Sequence, residues 1–142
     1  MEQQEYDALI DKVVADAAAQ GFTLEDLGSF GLDGFWRHTR SQRYLRMVRL
    51  AFSRGRVRGL LDVKAARGGL SPTQEAHHLR WLRQDYAEAG IRDEELQDCT
   101  METLDDLTGS KRIRRLLRLG YLRGRGFEIR SVRSAETPIG LR

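Results

Sequence analysis

Residues 41–56 read SQRYLRMVRLAFSRGR, an arginine-rich segment with helical spacing of its apolar residues. A similar stretch, SKRIRRLLRLGYLRGR, follows 69 residues later at residues 110–125. When residues 41–63 are aligned with residues 110–132, nine of the 23 positions are identical, and five of the nine are arginine on arginine. Chance would align only about two arginines, because the windows hold six and seven of them. The register therefore predicts an internal duplication around an arginine-rich helix.

Charge along the chain alternates in four blocks. Residues 1–34 carry a net charge of −7, residues 35–70 +9, residues 71–109 −7 and residues 110–142 +8, which together give the formal net charge of +3. Each half of the chain is thus an acidic segment followed by a basic one. Charge of this size on separate surfaces would attract partners of opposite charge, whereas acidic and basic blocks that pack side by side would cancel.

Hydrophobic periodicity predicts a mainly α-helical fold. Apolar residues recur at helical spacing from Tyr6 to Ala17, and Gly21 ends the pattern. Other helix starts are marked by a serine or threonine that caps the first turn. These signals are Thr23, Ser41, Ser71 with Pro72 after it, and Ser110. The aromatic residues near 30–36 are expected to plug one edge of the core.

The chain is predicted to be a small helical domain of two pseudo-repeats. Residues 1–70 form the first half, residues 71–133 the second, and residues 134–142 an irregular tail. Thr103-Leu-Asp-Asp-Leu107 resembles Thr23-Leu-Glu-Asp-Leu27 at an offset of 80. Since the arginine-rich stretches are 69 apart, this alignment implies about 11 extra residues in the first half.

Glycines and one alternating segment predict interruptions of the helices. Gly55 and Gly59 should weaken the first arginine-rich helix, although a further buried turn is indicated by Val57, Leu60, Leu61 and Val63. Gly120 should end the second helix. Residues 127–132 alternate apolar and polar side chains, which predicts a short β-strand. Val48 and its aligned residue Leu117 lie on the apolar sides of the two helices, so both are expected in the core.

Arginine positions on a helical wheel predict a working surface. Arg43, Arg46, Arg49 and Arg54 fall on one side of the first arginine-rich helix and the apolar residues on the other. A guanidinium group binds phosphate bidentately, so two such helices would contact a nucleic-acid backbone, DNA or RNA. The predicted phosphate-binding residues are Arg43, Arg46, Arg49, Arg54, Arg56, Arg112, Arg115, Arg118, Arg123 and Arg125.

Two other interpretations of the same arginines stay open. In one, the arginines form salt bridges with the acidic blocks of their own chain. In the other, the protein is an interaction or assembly subunit, whose alternating surfaces meet an acidic protein partner or a second copy in a homo-oligomer.

Composition and motifs argue against several other classes of function. The sequence has no recognisable phosphate loop, nucleophile motif or metal-ligand spacing, so we expect a non-enzymatic protein without cofactor or metal. His77 and His78 are expected at the surface or a helix edge. The lone Cys99 cannot form an internal disulfide, and no apolar run is long enough to cross a bilayer, so we expect a cytoplasmic protein with no membrane partner.

Overall fold

A computed structural model describes residues 1–97 and 100–136 of the chain. Its α-helices are α1 (Gln3–Ala19), α2 (Leu24–Leu27), α3 (Gln42–Ala65), α4 (Pro72–Glu88) and α5 (Lys111–Glu136). Short 3-10 helices cover Phe35–Arg37, Asp93–Leu96 and Glu102–Leu107. The predicted mainly α-helical fold is confirmed.

Helix starts follow the predicted capping residues. The Thr23 hydroxyl accepts a hydrogen bond from the Asp26 amide at 3.1 Å, and the Asp26 carboxylate accepts one from the Thr23 amide at 2.8 Å. Ser71 and Gln74 make the same reciprocal pair at the start of α4. These bonds satisfy amides that have no partner inside the helix, which is why the chain turns into a helix at these residues.

The longest helices, α3 and α5, run parallel and form the centre of the molecule. An added Cβ on Gly55 would lie 2.0 Å from the Tyr121 carbonyl oxygen, and one on Gly124 would lie 2.0 Å from the Phe52 carbonyl oxygen. The two backbones therefore touch where each helix presents a glycine. This contact explains why helix propensity misleads here, since close packing outweighs the conformational cost of glycine.

Two predicted interruptions, the helix end at Gly120 and the strand at 127–132, are wrong, and the further buried turn expected after Gly55 and Gly59 is present. Helix α3 continues through Gly55 and Gly59 to Ala65, and α5 continues past Gly120. Residues 127–132, the predicted strand, lie inside α5, and the described residues contain no strand. Buried positions in this segment, Ile129 and Val132 among them, follow helical spacing from Leu122 rather than an alternation of two. Of the predicted irregular tail, residues 134–136 are helical and residues 137–142 lie outside the described residues.

Helices of the two halves are interlocked around a shared core. Helix α1 packs mainly against α5, and α4 packs against α3, so each acidic helix covers the arginine-rich helix of the other half. Val48 is 1% exposed and Leu117 is 0% exposed, which confirms that both are buried. The predicted aromatic plug is only partly present, because Phe30 and Phe35 are buried while Trp36 is 57% exposed.

Elements recur along the chain at a constant offset of 69 residues. Helix α1 spans 3–19 and α4 spans 72–88; α2 spans 24–27 and a 3-10 helix spans 93–96. Gly21 and Gly90 both have positive φ, at 84° and 75°. We use counterpart for a residue 69 positions away. The counterpart of Thr23 is therefore Arg92, which starts the 93–96 helix, and the alignment of Thr23 with Thr103 is wrong because it followed a local similarity rather than the order of elements.

Candidate nucleic-acid interface

Most of the predicted phosphate-binding arginines contact their own chain. Arg54 donates from Nε to the Glu95 carbonyl oxygen at 2.9 Å, and its counterpart Arg123 donates from Nε to the Asp26 carbonyl oxygen at 2.9 Å. These acceptors are themselves counterparts. Each guanidinium thus holds the short helix that follows α1 or α4 against the central helix pair.

Arg46 and Arg115 make a second such pair. Arg46 donates to the Gly90 carbonyl oxygen at 2.9 Å, and Arg115 donates to the Gly21 carbonyl oxygen at 3.5 Å. Arg46 also binds the Glu95 carboxylate at 3.0 Å. Both arginines remain exposed, yet each donates a hydrogen bond to the chain just after a helix, Arg46 after α4 and Arg115 after α1.

Arg56 and Arg125 are buried, each 6% exposed, and each joins three helices. Arg56 on α3 binds Glu128 of α5 at 2.8 Å and Asp85 of α4 at 2.5 Å. Arg125 on α5 binds Asp62 of α3 and Asp16 of α1, both at 2.6 Å. The expectation that these arginines face solvent is therefore wrong. Arg54, at 9% exposed, is buried as well.

Burial and pairing act in opposite directions on the ionisation of these groups. Burial works to lower the pKa of Arg125, but hydrogen bonds to Asp62 and Asp16 outweigh it and raise that pKa. Burial raises the pKa of Glu128, against the lowering effect of Arg56. His78, which we expected at the surface or a helix edge, is instead 3% exposed, and its Nδ1 lies 4.0 Å from the Glu128 carboxylate. The expectation is wrong because α4 packs this face against α3 and α5.

Arg118 and its counterpart Arg49 differ sharply. Arg118 binds the Asp105 carboxylate at 2.5 Å and the Gln20 side-chain oxygen at 2.8 Å. Arg49 is exposed, and within residues 1–97 and 100–136 no acceptor or aromatic ring contacts it. The hydrogen bond from Arg118 lowers the pKa of Asp105.

Basic side chains cluster where α3 and α5 begin. Because these helices run parallel, their positive N-terminal ends lie at the same end of the molecule. Neither has an acidic residue in its first turn, in contrast to α1, α2 and α4. Arg40, Arg43 and Lys111 are exposed there, and no described residue accepts a hydrogen bond from them. Arg112 donates to the His38 carbonyl oxygen and so links the start of α5 to the segment that precedes α3.

Four carboxylates that position the buried arginines were not predicted as site residues. They are Asp16, Asp62, Asp85 and Glu128. One signal was present in the sequence, since Asp16 and Asp85 are identical residues 69 positions apart and bind counterpart arginines. Arg40 and Lys111 were also missed, because they differ in type from their counterparts Gly109 and Gln42.

Comparisons with known proteins give no relative. Neither protein-family models, nor curated proteins, nor solved structures match this chain. In the described part of the chain, no group of three metal-ligating side chains occurs and no helix is long and apolar enough to cross a membrane.

Acid should weaken the fold through Asp105. Its pKa is lowered in the folded protein, so its contribution to stability is present above the unfolded pKa and is lost as pH falls through the folded value. We expect Asp105→Asn to reduce the free energy of unfolding near neutral pH. The variant and the parent protein should converge as pH falls from neutral to below about 4, the ordinary pKa of an aspartate. Urea unfolding across this range measures both.

The neighbouring Asp106→Asn is the matched control for this experiment. Asp106 is exposed, and no described residue makes an ion pair with it. Its variant should follow the parent protein at every pH. A deficit of Asp105→Asn that stays constant down to the lowest pH would contradict an electrostatic role for the Arg118 pair.

Proposed function

We propose that the protein binds nucleic acid without catalysing a reaction, through phosphates, at the end of the molecule where α3 and α5 begin. The observation that carries this proposal is the set of exposed cations at that end, Arg40, Arg43 and Lys111, which have no acceptor among the described residues. Two helix N-termini add positive potential there, and neither first turn contains a carboxylate.

The proposed surface is smaller than the sequence suggested. Arg54, Arg56 and Arg125 are buried, so they do not reach a phosphate backbone and are left out. Arg46, Arg115, Arg118 and Arg123 use donors on their own chain. At this end Arg43 remains from the original set, and Arg40 and Lys111 join it, whereas Arg112 donates to the His38 carbonyl oxygen. Arg49 is also exposed without an acceptor among the described residues, but it lies about two turns into α3, away from the helix start. Backbone contacts of this kind position a protein without reading base sequence.

Counterpart contacts support the interpretation of the chain as two pseudo-repeats. Two pairs of counterpart arginines donate to carbonyl oxygens that are themselves 69 residues apart. The pairs are Arg46 with Arg115, and Arg54 with Arg123. Under this interpretation the two helix starts form one composite basic end. The alternative assembly function would use the same basic end to meet an acidic protein surface. We favour phosphate binding because two helix N-termini without a carboxylate in their first turns lie beside these cations, an arrangement suited to phosphate groups.

Salt titration with a matched pair of triple variants tests the proposal. Three phosphate contacts predict that affinity for a labelled 20-base-pair duplex falls about 40-fold between about 50 mM and about 200 mM salt, and that affinity for a 20-nucleotide single strand falls about 20-fold. Arg40→Gln/Arg43→Gln/Lys111→Gln should remove most of the binding and flatten this dependence. Fluorescence anisotropy at the two salt concentrations measures both effects.

The control variant removes the same charge from other places. Lys12, Arg67 and Arg80 are also exposed and have no acceptor among the described residues. Lys12→Gln/Arg67→Gln/Arg80→Gln should bind almost as well as the parent protein. Equal losses in the two triple variants would show that net charge alone drives binding, and undetectable binding at low salt would end the proposal.

A further inference from the structure

Two surface cavities occupy counterpart positions beside α3 and α5. The first has a volume of about 470 Å³ and is lined by Trp36, Leu45 and Arg49 among others. The second has a volume of about 360 Å³ and is lined by their counterparts Asp105, Arg114 and Arg118. We call them the Arg49 cavity and the Arg118 cavity. Their positions agree, and their chemistry differs.

The Arg118 cavity contains its own counter-ion. Asp105 accepts from Arg118 Nε at 3.2 Å and from Nη2 at 2.5 Å, so a carboxylate meets two guanidinium donors. The Gln20 side-chain oxygen accepts from Nη1 at 2.8 Å. This arrangement shows which chemical group satisfies an arginine at this position of the fold, namely a carboxylate in bidentate contact.

The Arg49 cavity lacks both of these groups. The counterpart of Asp105 is Trp36, and the counterpart of Gln20 is Ala89; both line the Arg49 cavity. The other arginine in the lining, Arg46, is held by Glu95 and by the Gly90 carbonyl oxygen. Arg49 is therefore the cation in this cavity that no described residue neutralises.

The rest of the Arg49 cavity is mainly apolar. Leu32, Phe35, Leu45 and Val48 contribute to its lining, and Trp36 is 57% exposed at its edge. The volume falls in the range of about 300–1,000 Å³ that is usual for small-molecule pockets, which combine apolar walls with a few polar anchors. A charged anchor with apolar walls selects a ligand that has both an anionic group and an apolar body.

We propose that the Arg49 cavity binds a small organic carboxylate. The carboxylate of the ligand pairs with Arg49, as Asp105 pairs with Arg118, and its aliphatic or aromatic body lies against Trp36, Leu32 and Leu45. This binding is separate from the proposed contact with nucleic acid, because Arg49 is not among the residues assigned to that surface.

Tryptophan fluorescence provides a direct test, because the chain has two tryptophans. In a Trp81→Phe background Trp36 is the sole reporter, and we expect 3-phenylpropionate to change its emission with saturation. Two probes separate the parts of the ligand: 3-phenylpropionamide keeps the apolar body without the charge, and acetate keeps the charge without the body. Both should bind more weakly than 3-phenylpropionate.

Variants then test the role of the arginine. Arg49→Gln should weaken 3-phenylpropionate binding at least about tenfold, since a charge-assisted pair is lost. Arg67→Gln removes another exposed charge that has no acceptor among the described residues, and it should leave binding unchanged. The double variant Trp36→Asp/Ala89→Gln gives the Arg49 cavity the carboxylate and amide that the Arg118 cavity has. It should not bind 3-phenylpropionate when measured by calorimetry. Its circular dichroism should still show a helical protein.

Several results would overturn the proposal. Equal affinity for 3-phenylpropionate and its amide, or full affinity in Arg49→Gln, would mean that the cavity takes apolar groups without using the arginine. If acetate bound with the same affinity as 3-phenylpropionate, the site would be a simple anion contact that does not use the apolar walls. Absence of any saturable signal with 3-phenylpropionate, in fluorescence and in calorimetry, would likewise contradict it.

Discussion

Gly124→Ala should destabilise the protein by at least about 3 kcal/mol, although alanine is the better helix former by about 1 kcal/mol. The added Cβ would lie 2.0 Å from the Phe52 carbonyl oxygen, and that atom belongs to a helix backbone which cannot rotate away. Helices α3 and α5 would have to separate, and with them the core that they share. Gly55→Ala, which meets the Tyr121 carbonyl oxygen at 2.0 Å, should cost a similar amount.

A graded series of glycine variants separates this steric effect from a general effect of alanine. At Gly120 the nearest atom to an added Cβ is the Val48 carbonyl oxygen at 3.3 Å, so a smaller loss is expected. At Gly109 no atom lies within 4 Å, and Gly109→Ala should change stability by less than about 0.5 kcal/mol. Urea unfolding ranks the four variants. A stabilising or neutral Gly124→Ala would show that α3 and α5 do not pack backbone to backbone.

Removal of the buried arginines should have the next largest effect. Arg56→Met leaves Glu128, which is 1% exposed, without its cationic partner, and a loss of about 3–5 kcal/mol is expected for an uncompensated buried charge. Arg125→Met should cost less than Arg56→Met, because Asp62 keeps a second cationic partner, Arg58, at 3.2 Å. Arg49→Met, at an exposed arginine of α3 that has no acceptor among the described residues, should cost less than about 0.5 kcal/mol.

The dependence on pH gives this prediction a signature that lost packing would not. Burial already raises the pKa of Glu128, and loss of Arg56 should raise it further. A carboxyl with a raised folded pKa favours the fold below its unfolded pKa, and that contribution is lost as pH rises through the folded value. The loss in free energy of unfolding caused by Arg56→Met should therefore be larger at about pH 8 than at about pH 5.

A double variant completes the test of the ion pair. Arg56→Met/Glu128→Leu removes both charges and should recover much of the stability, because a buried pair is often replaceable by apolar residues. If Arg56→Met lowered the free energy of unfolding no more than Arg49→Met does, a structural role for the Arg56–Glu128 pair would be contradicted. A deficit that is equal at both pH values would assign the loss to packing of the arginine stem.

Local signals in the sequence determined where helices begin and which faces are apolar. Thr23, Ser71 and Ser110 each accept a hydrogen bond from the amide three residues later, as their residue types predict. The burial of Val48 and Leu117 followed from the helical wheel. These features depend on neighbours within one or two turns, so they are readable without knowledge of the fold. The offset of 69 residues could also be predicted from the sequence, because identical residues align at that spacing.

The contacts of the arginine faces depend on tertiary packing and could not be predicted from local sequence. A wheel separates apolar from charged positions, but it does not show that a second arginine-rich helix packs in parallel, or that Glu128 and Asp85 lie beside Arg56. The same packing explains the role of the glycines. Helix propensity predicts that Gly55 and Gly124 destabilise their helices, whereas in the fold they lie where the two helix backbones are in contact. Both depend on groups that lie between 29 and 72 residues apart in sequence. The free energies of burial and pairing between such distant groups outweigh local preference.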